Sequence, residues 1–369
     1  MSARTLEFLI PGDLATPTGG YGYDRRLIAG LRGLGWQVAV HTLDPSFPRP
    51  TAAALEHAGR LLAQLQDGAR VLIDGLALGA MPEVIRPHSA RLALLALIHH
   101  PLAAETGLEP GDAQALMRSE RRALQAVRHV LVTSAATRRA LHGYGVAPGR
   151  ISVLEPGTDA APRAQRAPRG ELDQSAPPAD PGEGATLRLL CVATLIARKG
   201  HDVLFEALAP LAPLDWHLTC VGSLTRDPAT TARLRSQLAR LGLTARVTFT
   251  GEVDAAVLAR HLQDTDLFVL ATRFEGYGMA VAEALAHGLP VISTPTGAIP
   301  GLVGTQAGLL VPPDDAEALR AALARVLCEP QLRIRLSRGA AAARRELPRW
   351  EHTIERLAGI LERFGPQPA

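Results

Sequence analysis

The sequence predicts an α/β chain built as two doubly wound, parallel-sheet domains, and three observations carry that prediction. Short β-branched or leucine-rich runs alternate with longer stretches of helical period along nearly all of the 369 residues, and parallel strands need helical crossovers of this kind. A proline-rich interruption, residues 162–185, holds almost no bulky apolar side chain and divides the chain into two such series. In each series glycines cluster where a strand runs out, the end at which open parallel sheets bind ligands. The predicted division is a first domain at 1–161, a linker or mobile loop at 162–185 and a second domain at 186–348.

The first series opens with a buried strand at 6–10 (LEFLI), then a loop carrying Gly19, Gly20 and Gly22. A helix from about Tyr23 to Leu34 and a strand at 37–42 complete a βαβ unit. The glycine spacing is not G-x-G-x-x-G, so a dinucleotide site is not implied; a plain flexible turn is the alternative reading of the loop. Strands follow at 71–74 (VLID), 92–99 (LALLALIH) and 130–134 (VLVTS). His99 and His100 stand where the strand 92–98 runs out, which places one imidazole to touch substrate; a capping or surface histidine is the bland alternative. Glu120, Arg121 and Arg122, on a helix at 112–127, read as a solvated face.

The second series alternates strands at 187–193, 216–221, 247–250, 266–271 and 291–294 with helices at 202–208, 230–241, 255–263 and 316–327. After its first strand, Arg198 and Lys199 stand side by side before Gly200. Paired cations at a strand end can hold a diphosphate and neutralise charge developing on it; a solvated basic turn is the alternative. Gly222 and Val253 lie in tight turns whose backbone is placed to contact a nucleobase, or which are simply turns.

Composition bounds the chemistry. Hydrophobic residues make up 47%, enough to bury two cores. A net charge of +3 and a pI near 9.0, with no run of consecutive cations that stands out, do not suggest nucleic-acid binding. A weak attraction to an anionic lipid surface stays open. Cys191, Cys220 and Cys328 are sparse and odd in number, which fits a reducing compartment, and the first two sit in strand-like runs as core residues. The amino terminus shows no basic stretch followed by a long apolar core, and no eighteen-residue apolar run occurs, so a cytoplasmic protein without a membrane span is expected.

The most informative stretch is 272–298, TRFEGYGMAVAEALAHGLPVISTPTGA. Gly276 and Gly278 flank Tyr277 between a strand and an alanine-rich helix closed by Gly288 and Pro290. Such glycines let backbone approach a ligand, and the first amides of the helix suit phosphate. Were the segment helical throughout, Glu275 and Glu283 would stand roughly 12 Å apart. That is about the span from the ribose of a nucleoside diphosphate to a group attached beyond its second phosphate.

Taken together these residues resemble glycosyltransferase family 4, the retaining, sugar-nucleotide-dependent enzymes of GT-B fold, in which two Rossmann-like domains face each other across a cleft. The resemblance covers nearly the whole chain, and its most specific element is the Glu-x7-Glu pair, Glu275 and Glu283, within GYGMAVAEALAHGLPVIST. It implies Glu275 against the donor sugar, Glu283 on the ribose, and the backbone of Gly276, Tyr277, Gly278, Met279 and Ala280 on phosphate. Arg198 and Lys199 would contact the diphosphate, Gly19 and Gly20 would approach it from the first domain, and His99 would lie beside the transferred sugar. The last helix, 350–364, is similar to the segment that crosses back onto the first domain, so that 349–369 belongs with 1–161.

Thr194 stands where the family usually has Arg, His100 where it commonly has Asp, and Gly301 where a carboxylate is often found. The implied function is transfer of a hexosyl unit, from a UDP-sugar ahead of GDP-mannose, to an acceptor hydroxyl. No Asp-x-Asp motif stands near a donor-type loop, so neither a metal nor a cofactor beyond the donor is expected. Glu275 reads as nucleophile or as the group that holds the sugar, and the resemblance favours holding. Acceptor and oligomeric state are left open. The rivals are another GT-B enzyme, such as a sugar-nucleotide epimerase or a phosphorylase, and a catalytically silent partner that binds nucleotide sugar.

Overall fold

The computed structural model describes residues 4–105, 107–164 and 186–364. They form two compact units, Met1–Gly157 with Pro348–Ala369, and Thr158–Leu347.

In the first unit six parallel strands are β1 (Thr5–Pro11), β2 (Gln37–Leu43), β3 (Arg70–Asp74), β4 (Ala93–Ile98), β5 (His129–Val132) and β6 (Ile151–Val153). Their order is β2-β1-β3-β4-β5-β6. Every residue of β3, β4 and β5 is buried, the pattern of parallel strands covered on both faces. The three-residue β6 is too short to leave a periodic signal, and the sequence reading passes over it.

The first helix is Gly19–Gly33 and not 23–34. Thr18 caps it, its hydroxyl accepting the Tyr21 N–H at 3.2 Å, so Gly19, Gly20 and Gly22 form the first turn instead of a loop. Glycine disfavours helix interiors by about 1 kcal/mol, and a threonine cap contributes about the same in the other direction. The buried stripe of this helix includes Tyr23, Asp24, Leu27, Ile28 and Leu31.

The helix Trp350–Arg363 belongs to the same unit. Gly30 allows its close approach, since a Cβ there would fall 2.0 Å from Ile354 Cδ1. The Trp350 ring stacks at a tilt on Tyr23, with the Arg26 guanidinium 5.1 Å from its centroid, and Arg70 Nε donates to the Leu361 carbonyl at 3.0 Å. Glu120 departs from the expected solvated face: it is fully buried and accepts the Leu102 N–H at 3.0 Å, while Arg121 and Arg122 are exposed as expected. Its carboxylate is the acceptor that holds the turn following His99 and His100.

The second unit repeats the plan with β7 (Leu187–Val192), β8 (Trp216–Val221), β9 (Val247–Gly251), β10 (Leu267–Leu270), β11 (Val291–Ser293) and β12 (Gly308–Leu310), again parallel, in the order β12-β11-β10-β7-β8-β9. The chain builds outward from β7 to β9, then returns to β10 on the other side, so the switch point lies between β7 and β10. Aspartates cap three of its helices: Asp227 before Pro228–Arg240, Asp254 before Ala255–Gln263 and Asp315 before Ala316–Cys328. Cys191 and Cys220 are buried register partners on β7 and β8.

The segment expected as a linker begins inside this unit. Ala164 is buried and its N–H donates to the His287 carbonyl at 2.7 Å; a small side chain and a free amide suffice for that docking. The remainder of the linker prediction, 165–185, lies outside the described residues. Among the described residues no helix is long and apolar enough to cross a membrane.

One glycine fixes the geometry of the β7 loop. Gly200 has φ +67°, and a Cβ there would lie 1.9 Å from the Ala271 carbonyl oxygen. Gly200→Val is expected to lower unfolding stability by about 1–3 kcal/mol from backbone strain alone, with more from the clash, read as a lower urea midpoint. An unchanged midpoint would show that the loop does not need this approach.

Candidate active site

At the switch point two strand ends deliver two loops to one place. β7 leads to a short 3-10 turn, Ala197–Lys199, and β10 leads to residues 271–278. Arg273 ties them together: its guanidinium pairs with Asp202 at 2.7 and 2.9 Å and with Asp314 at 2.6 Å, and its N–H donates to the Arg198 carbonyl at 2.8 Å. Within that frame Lys199 Nζ stands 2.5 Å from Glu275 Oε1, and the Thr272 hydroxyl 3.2 Å from the same atom. Arg198 donates to the Phe274 carbonyl at 2.8 Å and lies 3.9 Å from Glu275. The structure therefore gathers Arg198, Lys199 and Glu275 from positions about 76 apart in the chain.

Glu275 is 8% exposed. Burial alone would raise its pKa, but the charges of Lys199 and then Arg198 outweigh it and hold the carboxyl below its usual range. Glu275 is thus an ionised acceptor at neutral pH.

The second carboxylate does not share a helix with the first. The helix is Met279–Ala286, Glu275 precedes it by four residues, and Gly278 turns the chain with φ +97°. The helical estimate of their spacing therefore does not apply: the glycines that let backbone approach a ligand also break the helix between the two acids. Met279 and Ala280 open the helix, and first-turn amides lack intrahelical acceptors. Tyr277 is buried. Glu283 is partly buried, and burial raises its carboxyl to about 7. Gly222 follows β8 with its N–H taken by the Gly251 carbonyl at 3.0 Å, so it is not free to donate to a base. Val253 follows β9 and packs on the core of the unit.

In the first unit His99 stands just past β4, with 20% of its side chain exposed. Its Nε2 is 3.4 Å from Asp24 Oδ1 and 3.3 Å from Asp74 Oδ2. Gly20 lies over the ring: a Cβ there would come 3.7 Å from Nε2 and Cδ2. His100 faces Glu105 at 3.7 Å. Sequence reasoning found His99, Gly19 and Gly20 but passed over Asp24, Asp74 and Thr272. A signal existed for Asp24, which is an acid on the apolar stripe shared with Leu27, Ile28 and Leu31, and for Asp74, the one charge ending a fully buried strand.

Comparison with known proteins follows the same division. The family described as "Glycosyltransferase Family 4" matches residues 23–161, and "Glycosyl transferases group 1" matches residues 186–329. The chain belongs to glycosyltransferase family 4. A curated relative, the D-inositol 3-phosphate glycosyltransferase of Jonesia denitrificans, is 28% identical over 268 residues, covering 69% of this chain and 62% of the relative. The match thus spans less than two thirds of that protein's length. Among solved structures, sucrose-phosphate synthase from Thermosynechococcus elongatus superposes with a TM-score of 0.79 at 21% identity over 98% of both chains. The Anabaena protein HepE, in complex with UDP and glucose, gives 0.73 at 20% identity over 98% of this chain and 99% of its own. These likenesses establish the GT-B fold for this family-4 chain.

Proposed function

We propose that the protein is a retaining hexosyltransferase that takes its sugar from a nucleoside diphosphate donor, UDP-linked ahead of GDP-mannose, and passes it to an acceptor hydroxyl without a metal. The observation that carries this reading is the Lys199–Glu275–Arg198 cluster, assembled at the switch point beside the opening of the helix Met279–Ala286.

Arg198, Lys199 and the backbone of residues 276–280 supply the positive charge that a departing diphosphate needs, the work a metal does elsewhere. Glu275, ionised and held by Lys199, serves to accept hydrogen bonds from the sugar's hydroxyls. Glu283 accepts from the ribose. Gly19, Gly20 and His99 are assigned to the substrate on the first unit. The bond from the anomeric carbon to the diphosphate oxygen breaks and one to the acceptor oxygen forms on the same face, while the acceptor's proton leaves on the diphosphate. The HepE complex with UDP and glucose, on the same fold, supports the UDP preference.

Titration calorimetry tests the reading. UDP is expected to bind more tightly than GDP, with affinity unchanged by EDTA. Because burial raises Glu283 to about 7, the carboxylate that accepts ribose hydroxyls is lost as pH falls through that value. UDP affinity is therefore expected to rise with pH and level off above about 7.5, and Glu283→Gln should flatten the curve. The same shift in the free protein runs the other way: the contribution of Glu283 to stability is full below its ordinary value and is lost as pH rises through about 7. No binding of any nucleoside diphosphate would overturn the assignment, and tighter GDP binding would move the donor to GDP-mannose.

A further inference from the structure

The first unit buries two carboxylates against one imidazole. Asp24 is 0% exposed, projects from the buried stripe of the helix Gly19–Gly33, and neither of its carboxylate oxygens has a hydrogen-bond partner. Asp74, 1% exposed, ends β3; its Oδ1 accepts the Leu76 N–H at 2.8 Å while Oδ2 is turned to His99. The His99 Nε2 lies 3.3 to 3.4 Å from both carboxylates, within ion-pair distance but without a hydrogen bond to either. Gly20 covers that edge of the ring, and Tyr23 meets it edge-on with ring centroids 5.6 Å apart. The nearest further cation is Arg25, whose guanidinium is engaged by the Leu14 and Thr16 carbonyls at 2.5 and 3.1 Å. Two ionised carboxylates in a dry pocket are costly unless a cation stands between them, and His99 is the group placed to be that cation.

We propose that Asp24 and Asp74 are positioning residues that lock His99 as an imidazolium by pairing their charges with its Nε2 edge, so that His99 meets substrate only as a hydrogen-bond donor and never as a base. With both ring nitrogens protonated, the N–H away from the two acids is the donor available to the open side. Burial opposes the charge on His99, but the charges of Asp24 and Asp74 overcome it and raise the imidazole to about 10; burial raises Asp24 to about 6 while His99 pulls it back. The contribution of this clamp to stability is full below the ordinary histidine value and is lost as pH rises through about 10.

The test is ¹⁵N NMR of the full-length, histidine-labelled protein, with the His99 signals assigned by their loss in His99→Gln. In the wild type both His99 ring nitrogens should stay protonated up to about pH 9. In Asp24→Asn with Asp74→Asn the midpoint should fall below about 8, and each single variant should give an intermediate shift. If the double variant does not fold, Asp74→Asn alone must still lower the midpoint by about one unit. A neutral His99 at about pH 7.5 in the wild type, or a midpoint unmoved by these substitutions, would overturn the proposal. So would a shift of the wild-type signals on adding Zn²⁺ that Asp24→Asn abolishes, since the three groups would then be metal ligands. These readouts do not depend on catalysis, so they stand or fall separately from the transferase reading. Where turnover is measured, the rest of the inference rests on that reading: Asp24→Asn should make kcat fall as pH rises toward about 9, a range over which the wild type holds its rate.

Discussion

Lys199→Ala is expected to reduce turnover of a nucleoside diphosphate sugar by about 10²–10³-fold, the effect of removing one preorganised donor from a developing charge. Affinity for the nucleoside diphosphate should fall as well, because the ammonium is needed in the ground state as much as in the transition state. Lys199 ends the β7 turn and reaches Glu275 at 2.5 Å with 18% of its side chain exposed, so little water screens it. The substitution leaves Glu275 with Arg198 at 3.9 Å and the Thr272 hydroxyl at 3.2 Å, which keeps the carboxylate from being stranded and the loop in place. Circular dichroism and the thermal midpoint serve as the control. A variant with both turnover and affinity near wild type would remove Lys199 from the site.

Glu275→Ala is expected to separate binding from transfer. It removes the one anion among Arg198, Lys199 and the helix opening, so the two cations face a diphosphate without competition. UDP affinity should hold or rise while turnover falls by about 10²–10³-fold. The contrast with Lys199→Ala is the informative part: one substitution costs both quantities, the other only turnover. Parallel losses of affinity in the two variants would mean that Glu275 supports the loop and does not touch the sugar.

Much of this arrangement was legible in the sequence because parallel sheets leave strong signals. Runs such as ALLALI at β4 are buried on both faces and read as continuous apolar strands, and the helix expected at 255–263 is Ala255–Gln263 in the structure. Glu275, Lys199 and Arg198 were singled out because they stand at strand ends, where open parallel sheets bind ligands. The losses have physical causes too. β6 and β12 are three residues each and only partly buried, whereas β11, equally short, is buried throughout and left an apolar run. Gly19 and Gly20 read as a loop because glycine propensity outweighed the Thr18 cap. Glu120 and Asp24 were hidden by the rule that charges face water, which fails where burial is repaid by a backbone amide in one case and an imidazole in the other. The conditional span of roughly 12 Å between Glu275 and Glu283 failed because pattern alone does not show that a left-handed glycine, Gly278, starts the helix only after Glu275.

The account's central claim is that the Lys199–Glu275–Arg198 cluster recognises the diphosphate of the donor. Its most direct test is the affinity of UDP relative to uridine, with GDP and guanosine alongside, measured by calorimetry for the wild type and Lys199→Ala. A large preference for the diphosphate is expected in the wild type, dropping by about 2 kcal/mol or more in the variant, with the nucleoside itself binding equally to both. A preference for the diphosphate that survives unchanged in Lys199→Ala would contradict it.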